Sequence, residues 1–385
     1  MTISTQNKTV SEISKEDISA SKKQNRHPLR KQTSKLISEY LQSDPNTSTI
    51  FEKIQRHARG IVISGYDLTN RCNLRCEGCF FFEGQLSHIY HEEKTEEEYN
   101  EFFRQEQARG VNYVHFAGAE PALVQERLHI ANKYWNRGLI YTNGTILIDP
   151  AITFMIHISL WGAPKTDERL RGAPVFQKAV KNYAGDPRAI IMMTISKHSI
   201  DQILEVAQIC EDTGMLLSFN HFSPSRKYMS KLCNDSQHNP KSNFRFSTSK
   251  DNLILEDQDL KRIADSIGEA MIRWPKNIIY SSYYNHWINQ PGSRFQIDPE
   301  TKMATDCPIL NMPYHREYHV DLSYDDRECC IANIDCYGCR HYVSGYTKMM
   351  AERHLYLNSL KDFKGWVETF NTWCRLHFIN WDKLL

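Results

Sequence analysis

Short apolar segments alternate with amphipathic helical patterns through the middle of the chain, and this alternation is the feature that most constrains the fold. Six segments of strand length carry it: 61–66, 113–117, 139–142, 154–160, 189–195 and 215–219. Strands separated by helices form right-handed βαβ units, and such units build a parallel sheet. The sequence therefore predicts an α/β fold, a partial (β/α)6 parallel barrel with a small C-terminal cysteine-rich α+β module.

The rest of the chain divides by composition around this core. Its 385 residues suffice for one large domain with additions. The first segment is rich in Ser, Thr, Lys and Gln, a composition typical of disorder. We predict a disordered tail at 1–27, a helical extension at 28–59, the barrel core at 60–224, a connector and helix at 225–290, the cysteine module at 291–345 and a helical segment at 346–385.

Three cysteines follow the first predicted strand in the spacing C-x3-C-x2-C: Cys72, Cys76 and Cys79. An iron–sulfur cluster normally takes four cysteine ligands, so three on one loop would leave one iron open to an exogenous ligand. A structural zinc site would instead need a fourth protein ligand nearby, which His88 or His91 could supply. Both a cluster and a zinc ion therefore suit this loop at first sight.

Small and polar residues end the next three predicted strands, where the site of a parallel barrel lies. The second strand ends in Gly118–Pro121, the third in Thr142–Thr145, and Ser159 lies near the end of the fourth. Glycine lets a backbone approach a ligand closely, and a carboxylate accepts hydrogen bonds from an amino group. Asp167 and Arg171 follow at i, i+4 spacing, which also suits an ion pair on a helix surface.

In order and position these motifs resemble the radical S-adenosylmethionine (SAM) superfamily, whose enzymes bind SAM at the open iron of a [4Fe–4S] cluster. The resemblance implies that Cys72, Cys76 and Cys79 hold this cluster. The SAM contacts it implies are Gly118, Ala119, Glu120, Asn143, Ser159 and Arg171. Two positions depart from the family's pattern: Gly78 stands where an aromatic residue is common, and Ala119 replaces a glycine.

A second group of cysteines lies towards the C-terminus: Cys307, the adjacent pair Cys329 and Cys330, Cys336 and Cys339. Four thiolates suit either an iron–sulfur cluster or a structural zinc ion. The arrangement is similar to the SPASM module of the superfamily, and more closely to its shorter twitch form. This resemblance implies an auxiliary [4Fe–4S] cluster on Cys307, Cys330, Cys336 and Cys339, with Cys329 as the alternative member of the pair.

The resemblance implies an enzyme that reductively cleaves SAM to a 5′-deoxyadenosyl radical and takes a hydrogen atom from a peptide or small-molecule substrate. An electron donor such as flavodoxin or ferredoxin is then a partner. With an auxiliary cluster, the expected outcome is net oxidation, a dehydrogenation or a cross-link. The alternatives are a redox-neutral epimerase, rearrangement or adenosyl-transfer enzyme, or a zinc- or cluster-binding module without SAM chemistry.

Charge and hydropathy disfavour two other classes of partner. The formal net charge of +1 gives no basic field that would attract nucleic acid. No segment approaches the ~20 apolar residues that a membrane-spanning helix needs, and the N-terminus lacks the apolar region of a secretory signal. The 11 cysteines, mostly in two groups, fit metal ligation in a reducing compartment, so we expect a cytoplasmic protein.

Overall fold

A parallel sheet of seven strands forms the centre of the protein, in the order β6-β5-β4-β3-β2-β1-β7. The computed structural model describes residues 28–83, 90–234, 236–239, 241–324, 329 and 333–384. The strands are β1 Ile63–Asp67, β2 Tyr113–Ala117, β3 Gly138–Thr142, β4 Met155–Leu160, β5 Ala189–Ile195, β6 Leu216–His221 and β7 Glu317–Tyr318. The predicted α/β fold is confirmed, and β1 to β6 correspond to the six predicted strands.

Helices connect the strands, and further helices precede β1 and follow β6 in the chain. In chain order they are α1 Pro28–Ser43, α2 Pro45–His57, α3 Phe80–Glu83, α4 Glu96–Ala108, α5 Gln125–Asn132, α6 Pro164–Arg171, α7 Phe176–Tyr183, α8 Ile203–Thr213, α9 Arg226–Cys233, α10 Asp257–Arg273, α11 Ser282–Ile288, α12 Pro308–Asn311, α13 Tyr342–Ala351 and α14 Leu360–His377. Local sequence fixes several ends. Helix α4 starts at a capping box in which Thr95 and Glu98 each accept a hydrogen bond from the other's backbone N–H.

One hydrophobic core extends from the N-terminal helices through the sheet to the last helix. All seven residues of β5 are buried, as expected for a central parallel strand covered on both faces. Phe51 of α2 packs against α14, with its ring centroid 6.0 Å from that of Phe363 and 6.4 Å from that of Trp366. The two ends of the described chain are therefore held together by aromatic packing.

Strand β7 is the element of the sheet that the sequence analysis did not predict. It lies parallel to β1, with Gly65 opposite Glu317 and Tyr66 opposite Tyr318. The two tyrosine rings stack at 5.4 Å, and both hydroxyls donate to the buried carboxylate of Glu106, at 3.0 Å and 2.8 Å. A strand of two residues shows no periodicity in a sequence. Through β7, the cysteine-bearing C-terminal part of the chain joins the central sheet.

Among the helices of the described residues, none combines the length and the apolar character that crossing a membrane requires.

Candidate functional site

A cavity of about 210 Å³ is lined by residues from all seven strands of the sheet. Alternate strand residues face it, for example His157 and Ser159 of β4 and Met192 and Thr194 of β5. Because seven neighbouring strands line one cavity, the sheet must curve around it, which is the geometry of a partial barrel. A cavity on this face is where a parallel barrel carries its site.

The three cysteines of the first loop, Cys72, Cys76 and Cys79, all face this cavity. Burial is the main reason why the pKa of the Cys76 thiol is raised to about 11 and that of Cys79 to about 12, and neighbouring thiols contribute to both shifts. Within the described part of the chain, no three Cys, His, Asp or Glu side chains form a ready-made metal cage. Iron ions would supply the positive charge that these buried thiols need to ionise, so the donor set fits a cluster.

The loop after β2 packs tightly against the segment that leads to Cys72. Gly118 has a φ of +99°, and a Cβ atom there would lie 2.8 Å from the backbone nitrogen of Leu68. The N–H of Ala119 donates to the Thr69 carbonyl oxygen at 2.8 Å. Glycine is therefore required at position 118 by both conformation and space. Gly118, Ala119 and the three cysteines line one cavity.

Glu120 connects the loop after β2 to the loop after β3. Its carboxylate accepts hydrogen bonds from the Thr142 hydroxyl and the Asn143 N–H, both at 2.7 Å, and from the Ala122 N–H at 3.0 Å. Burial raises the pKa of Glu120, an effect that these hydrogen bonds oppose. The Asn143 side chain in turn points at Cys72, with its Nδ2 3.8 Å from the sulfur atom. The polar ends of β2 and β3 thus form one hydrogen-bonded network beside the cysteines.

Arg171 is fully buried and faces the same cavity as Ser159. Its Nη2 donates to the Asn143 carbonyl oxygen at 2.6 Å, and its Nη1 lies 3.6 Å from Asp167 Oδ2. Nε and Nη1 have no hydrogen-bond partner among the described residues. The pairing with Asp167 that the sequence suggested is present, but it is buried rather than on a helix surface. A buried guanidinium with unused donors is suited to binding an anionic group.

The far side of the cysteine loop is covered by a segment that the sequence analysis assigned to the connector. The Gly78 N–H donates to the Asn243 carbonyl oxygen at 2.7 Å, and the Asn243 side chain donates to the Cys76 carbonyl oxygen at 2.9 Å. Gly78 has a φ of +63°, and a Cβ there would meet the rings of Phe222 and Tyr228 at 3.1 Å and 3.2 Å. This packing explains why the position holds glycine rather than an aromatic residue.

Glu77, a residue of the cysteine loop, forms further hydrogen bonds with the same segment. Its side chain is fully buried, and its carboxylate accepts hydrogen bonds from the Arg245 N–H at 2.7 Å and the Ser247 N–H at 3.1 Å. Nothing in the local sequence marks Glu77 as buried, because its partners lie about 170 residues away in the chain. We use the name strap for residues 241–253, which cover the cysteine loop in this way.

Replacing Glu77 by glutamine is expected to loosen the strap. A glutamine has one acceptor oxygen, so one of the two backbone N–H groups would lose its partner, at a cost of about 1–3 kcal/mol. Hydrogen–deuterium exchange at Arg245 and Ser247 should become faster than in the unsubstituted protein. The exposed Glu211→Gln variant is the matched control and should not change this exchange. Unchanged exchange in Glu77→Gln would refute the role of this carboxylate.

Several side chains that the sequence alone did not assign to a site also line the cavity. His157 Nε2 donates to the Leu376 carbonyl oxygen at 2.9 Å, so its Nδ1 must accept from the Tyr342 hydroxyl at 2.7 Å. Burial lowers the pKa of His157 to about 4, which keeps it neutral. His221 bonds to Asn289 at 2.8 Å. Both histidines therefore have hydrogen-bond partners within the protein, and both also line the cavity.

The described cysteines of the C-terminal group lie outside the lining of this cavity. Cys307, Cys336 and Cys339 are buried and Cys329 is half-buried. Burial is the main reason why the pKa of Cys307 is raised to about 12, with contributions from Cys329 and Cys336. Burial also raises the pKa of Cys336 and of Cys339, and Cys329 contributes to both shifts. Cys330, which the sequence analysis chose as a ligand, lies outside the described residues.

Comparison with known proteins adds independent information on this site. Residues 66–223 match the family model of the radical SAM superfamily. Sporulation killing factor maturation protein SkfB of Bacillus subtilis (strain 168) is 26% identical over 165 residues, which cover 39% of this chain and 40% of that protein. The chain thus aligns with less than half of that relative. A solved structure, native anSMEcpe with bound AdoMet, has a TM-score of 0.44 and 15% identity, covering 73% of this chain and 75% of that one.

Proposed function

Given that the chain carries a radical SAM domain at residues 66–223, we propose that this protein is an enzyme that reductively cleaves SAM and abstracts a hydrogen atom from a substrate. When bound, a [4Fe–4S] cluster with SAM at its open iron supplies the electron that splits SAM into methionine and a 5′-deoxyadenosyl radical. The observation that carries the proposal is the meeting of three thiols, Cys72, Cys76 and Cys79, with the polar ends of β2, β3 and β4 in one cavity.

The side chains around the cysteines would hold SAM by its charged and polar groups. Arg171 lines the cavity, and its Nε and Nη1 have no hydrogen-bond partner among the described residues, so this guanidinium would bind the carboxylate of SAM. Glu120 and the backbone at Gly118 and Ala119 would accept from its amino group, since a carboxylate can accept up to about four hydrogen bonds. Ser159 would contact the ribose. The Asn143 carbonyl is already bonded to Arg171 and serves to orient that guanidinium.

Aromatic side chains would keep water away from the reacting groups. Phe80 and Phe81 follow Cys79 directly and line the cavity together with Trp161 and Phe222. A reactive carbon radical must be shielded from competing reactions, and apolar walls provide that shielding. The neutral histidines of the cavity carry no charge that would draw water into it.

An auxiliary [4Fe–4S] cluster on the C-terminal cysteines is the second part of the proposal. Cys307, Cys336 and Cys339 would supply three ligands, and one of Cys329 and Cys330 the fourth. Cys329 contributes to the raised pKa of each of the other three thiols, which supports it as a candidate for the fourth ligand beside Cys330, the ligand expected from the sequence. Bound there, the cluster would accept the electron that remains after hydrogen abstraction, and the net reaction would be an oxidation, a dehydrogenation or a cross-link.

A peptide is the substrate class that we propose. The relative from Bacillus subtilis is named for the maturation of a sporulation killing factor, which supports a maturation reaction more than the turnover of a small metabolite. A flavodoxin or ferredoxin would supply the electron. We propose this substrate class for the present chain although the alignment covers 39% of it.

Anaerobic reconstitution with iron and sulfide tests the proposal. The protein should bind about eight irons if both clusters form, and about four if only the first does. With dithionite and SAM, it should release 5′-deoxyadenosine. A count of about four with active SAM cleavage would point to a redox-neutral outcome. Protein that takes up zinc at Cys72, Cys76 and Cys79 and leaves SAM intact would overturn the proposal.

A further inference from the structure

Three residues on neighbouring strands form a polar notch in the cavity wall. Glu317 of β7 lies opposite Gly65 of β1, and Gly65 lies opposite His115 of β2. All three line the cavity. Because Gly65 has no side chain, the Glu317 carboxylate extends over it, into the space that a side chain at position 65 would fill. We call Glu317, Gly65 and His115 the notch.

One oxygen of the Glu317 carboxylate contacts His315, and the other lies over Gly65. Oε1 lies 2.8 Å from His315 Nε2, and His315 Nδ1 lies 3.3 Å from the Ile63 carbonyl oxygen. Both nitrogens of His315 therefore face acceptors. Oε2 lies over Gly65, where even a methyl side chain would overlap it. Among the described residues, His315 is the ion-pair partner that Glu317 has within 4.0 Å.

His115 forms the other wall of the notch and also has an unused atom. The residue is 7% exposed, and its Nε2 has no hydrogen-bond partner in the described part of the chain. Burial lowers the pKa of His115 to about 3, so the ring is neutral and repels no cation. A buried polar atom without a partner is costly, and a ligand that bonds to it would recover that cost.

The charges of the cavity favour a cation. Two carboxylates, Glu120 and Glu317, line it with one guanidinium, Arg171. In the proposed complex, Glu120 faces the amino group of SAM and Arg171 faces its carboxylate. Glu317 is then the carboxylate of this lining that is left for the substrate. A desolvated carboxylate of this kind binds a positively charged nitrogen more strongly than a neutral donor.

We propose that the notch binds a cationic nitrogen of the substrate, an ammonium or a guanidinium group, between Glu317 and His115. The inference deepens the proposed function, on which it rests: it makes the substrate a peptide with a lysine or arginine side chain, or a free amine, near the carbon that loses hydrogen. Glu317 would act as a binding residue that fixes the substrate relative to the cysteine end of the cavity.

Binding of small capped amino acids to the reconstituted full-length protein tests this assignment. The probes are N-acetyl-L-arginine methylamide and N-acetyl-L-lysine methylamide, with N-acetyl-L-citrulline methylamide as the neutral isostere of arginine. Isothermal titration calorimetry or ligand-observed NMR gives the affinities. We expect the arginine or lysine probe to bind at least about tenfold more tightly than the citrulline probe, as a charged hydrogen bond implies.

Two variants test whether the preference for the cationic probes arises at the notch. Glu317→Gln removes the charge and should abolish this preference, and Gly65→Ala displaces the carboxylate and should do the same. The exposed Glu300→Gln variant, in the same part of the chain, is the matched control and should retain the preference. Thermal unfolding checks that each variant is folded, and the two notch variants perturb the site independently.

Failure of this inference is distinct from failure of the proposed function. If the unsubstituted protein cleaves SAM but binds the cationic and neutral probes equally, or if both folded notch variants keep the preference, the notch assignment is wrong and the enzyme assignment stands. If the unsubstituted protein binds cations at the notch but never cleaves SAM, the proposed function fails instead.

Discussion

Replacing Cys76 by alanine is expected to reduce 5′-deoxyadenosine formation to the level of protein-free controls. Cys76 is one of only three thiols on its loop, and the loop has no fourth cysteine that could take its place. A cluster with two remaining cysteine ligands is not held firmly enough to persist. Reconstituted Cys76→Ala protein should therefore lose about four irons relative to the unsubstituted protein and lose its SAM cleavage completely.

The matched control is Cys233→Ala, which removes an exposed thiol on α9. It should retain the full iron content and full SAM cleavage. Iron is measured colorimetrically and 5′-deoxyadenosine by chromatography under anaerobic conditions. If Cys76→Ala protein still forms 5′-deoxyadenosine, the cysteine loop is not the site of SAM cleavage, and the proposed function must be abandoned.

The second large effect concerns stability. Glu106 is fully buried, and its carboxylate receives two hydrogen bonds from Arg109, at 2.7 Å and 2.6 Å, besides those from Tyr66 and Tyr318. Glu106→Gln would leave the largely buried guanidinium of Arg109 without its counter-charge. Breaking such a pair costs about 3–5 kcal/mol. For a chain of this length, we expect the unfolding temperature to fall by roughly 4–6 °C.

Glu101→Gln is the comparison on the same helix. Glu101 pairs with Arg104 at 2.6 Å, but both side chains are about half exposed, and an exposed pair contributes little. The unfolding temperature of the Glu101→Gln variant should equal that of the unsubstituted protein. Calorimetry or circular dichroism measures both. Equal unfolding temperatures for the two variants would show that the Glu106 network does not hold β7 to the sheet.

The sequence was sufficient to predict the repeating strand and helix units of the fold. Strands β1 to β6 are largely buried segments of five to seven residues, and some helices between them carry recognisable caps, such as Thr95 at the start of α4 and Gly214 at the end of α8. Strand β7 could not be predicted, because two residues carry no pattern. Its place beside β1 depends on the stacking of Tyr66 on Tyr318, residues about 250 positions apart.

The candidate site divides in the same way. Gly118, Glu120 and Asn143 stand in short motifs at strand ends, and Arg171 ends the helix that follows β4, so their sequence positions already suggested a common location. Glu317 and the strap carry no such motif. They reach the cavity and the cysteine loop through pairing between distant parts of the chain, as in the contact of Gly65 with Glu317. Local sequence patterns contain no information about contacts of this kind.

The contact between Glu77 and the strap has a consequence for biosynthesis. The cysteines lie at positions 72–79, but the backbone groups that fix their loop belong to residues 243–247. On the ribosome, the nascent chain therefore exposes all three thiols long before their supporting partners have been translated. We expect metal loading to follow chain completion rather than accompany elongation. Cells short of iron should accordingly accumulate a full-length, folded precursor that can still be loaded later.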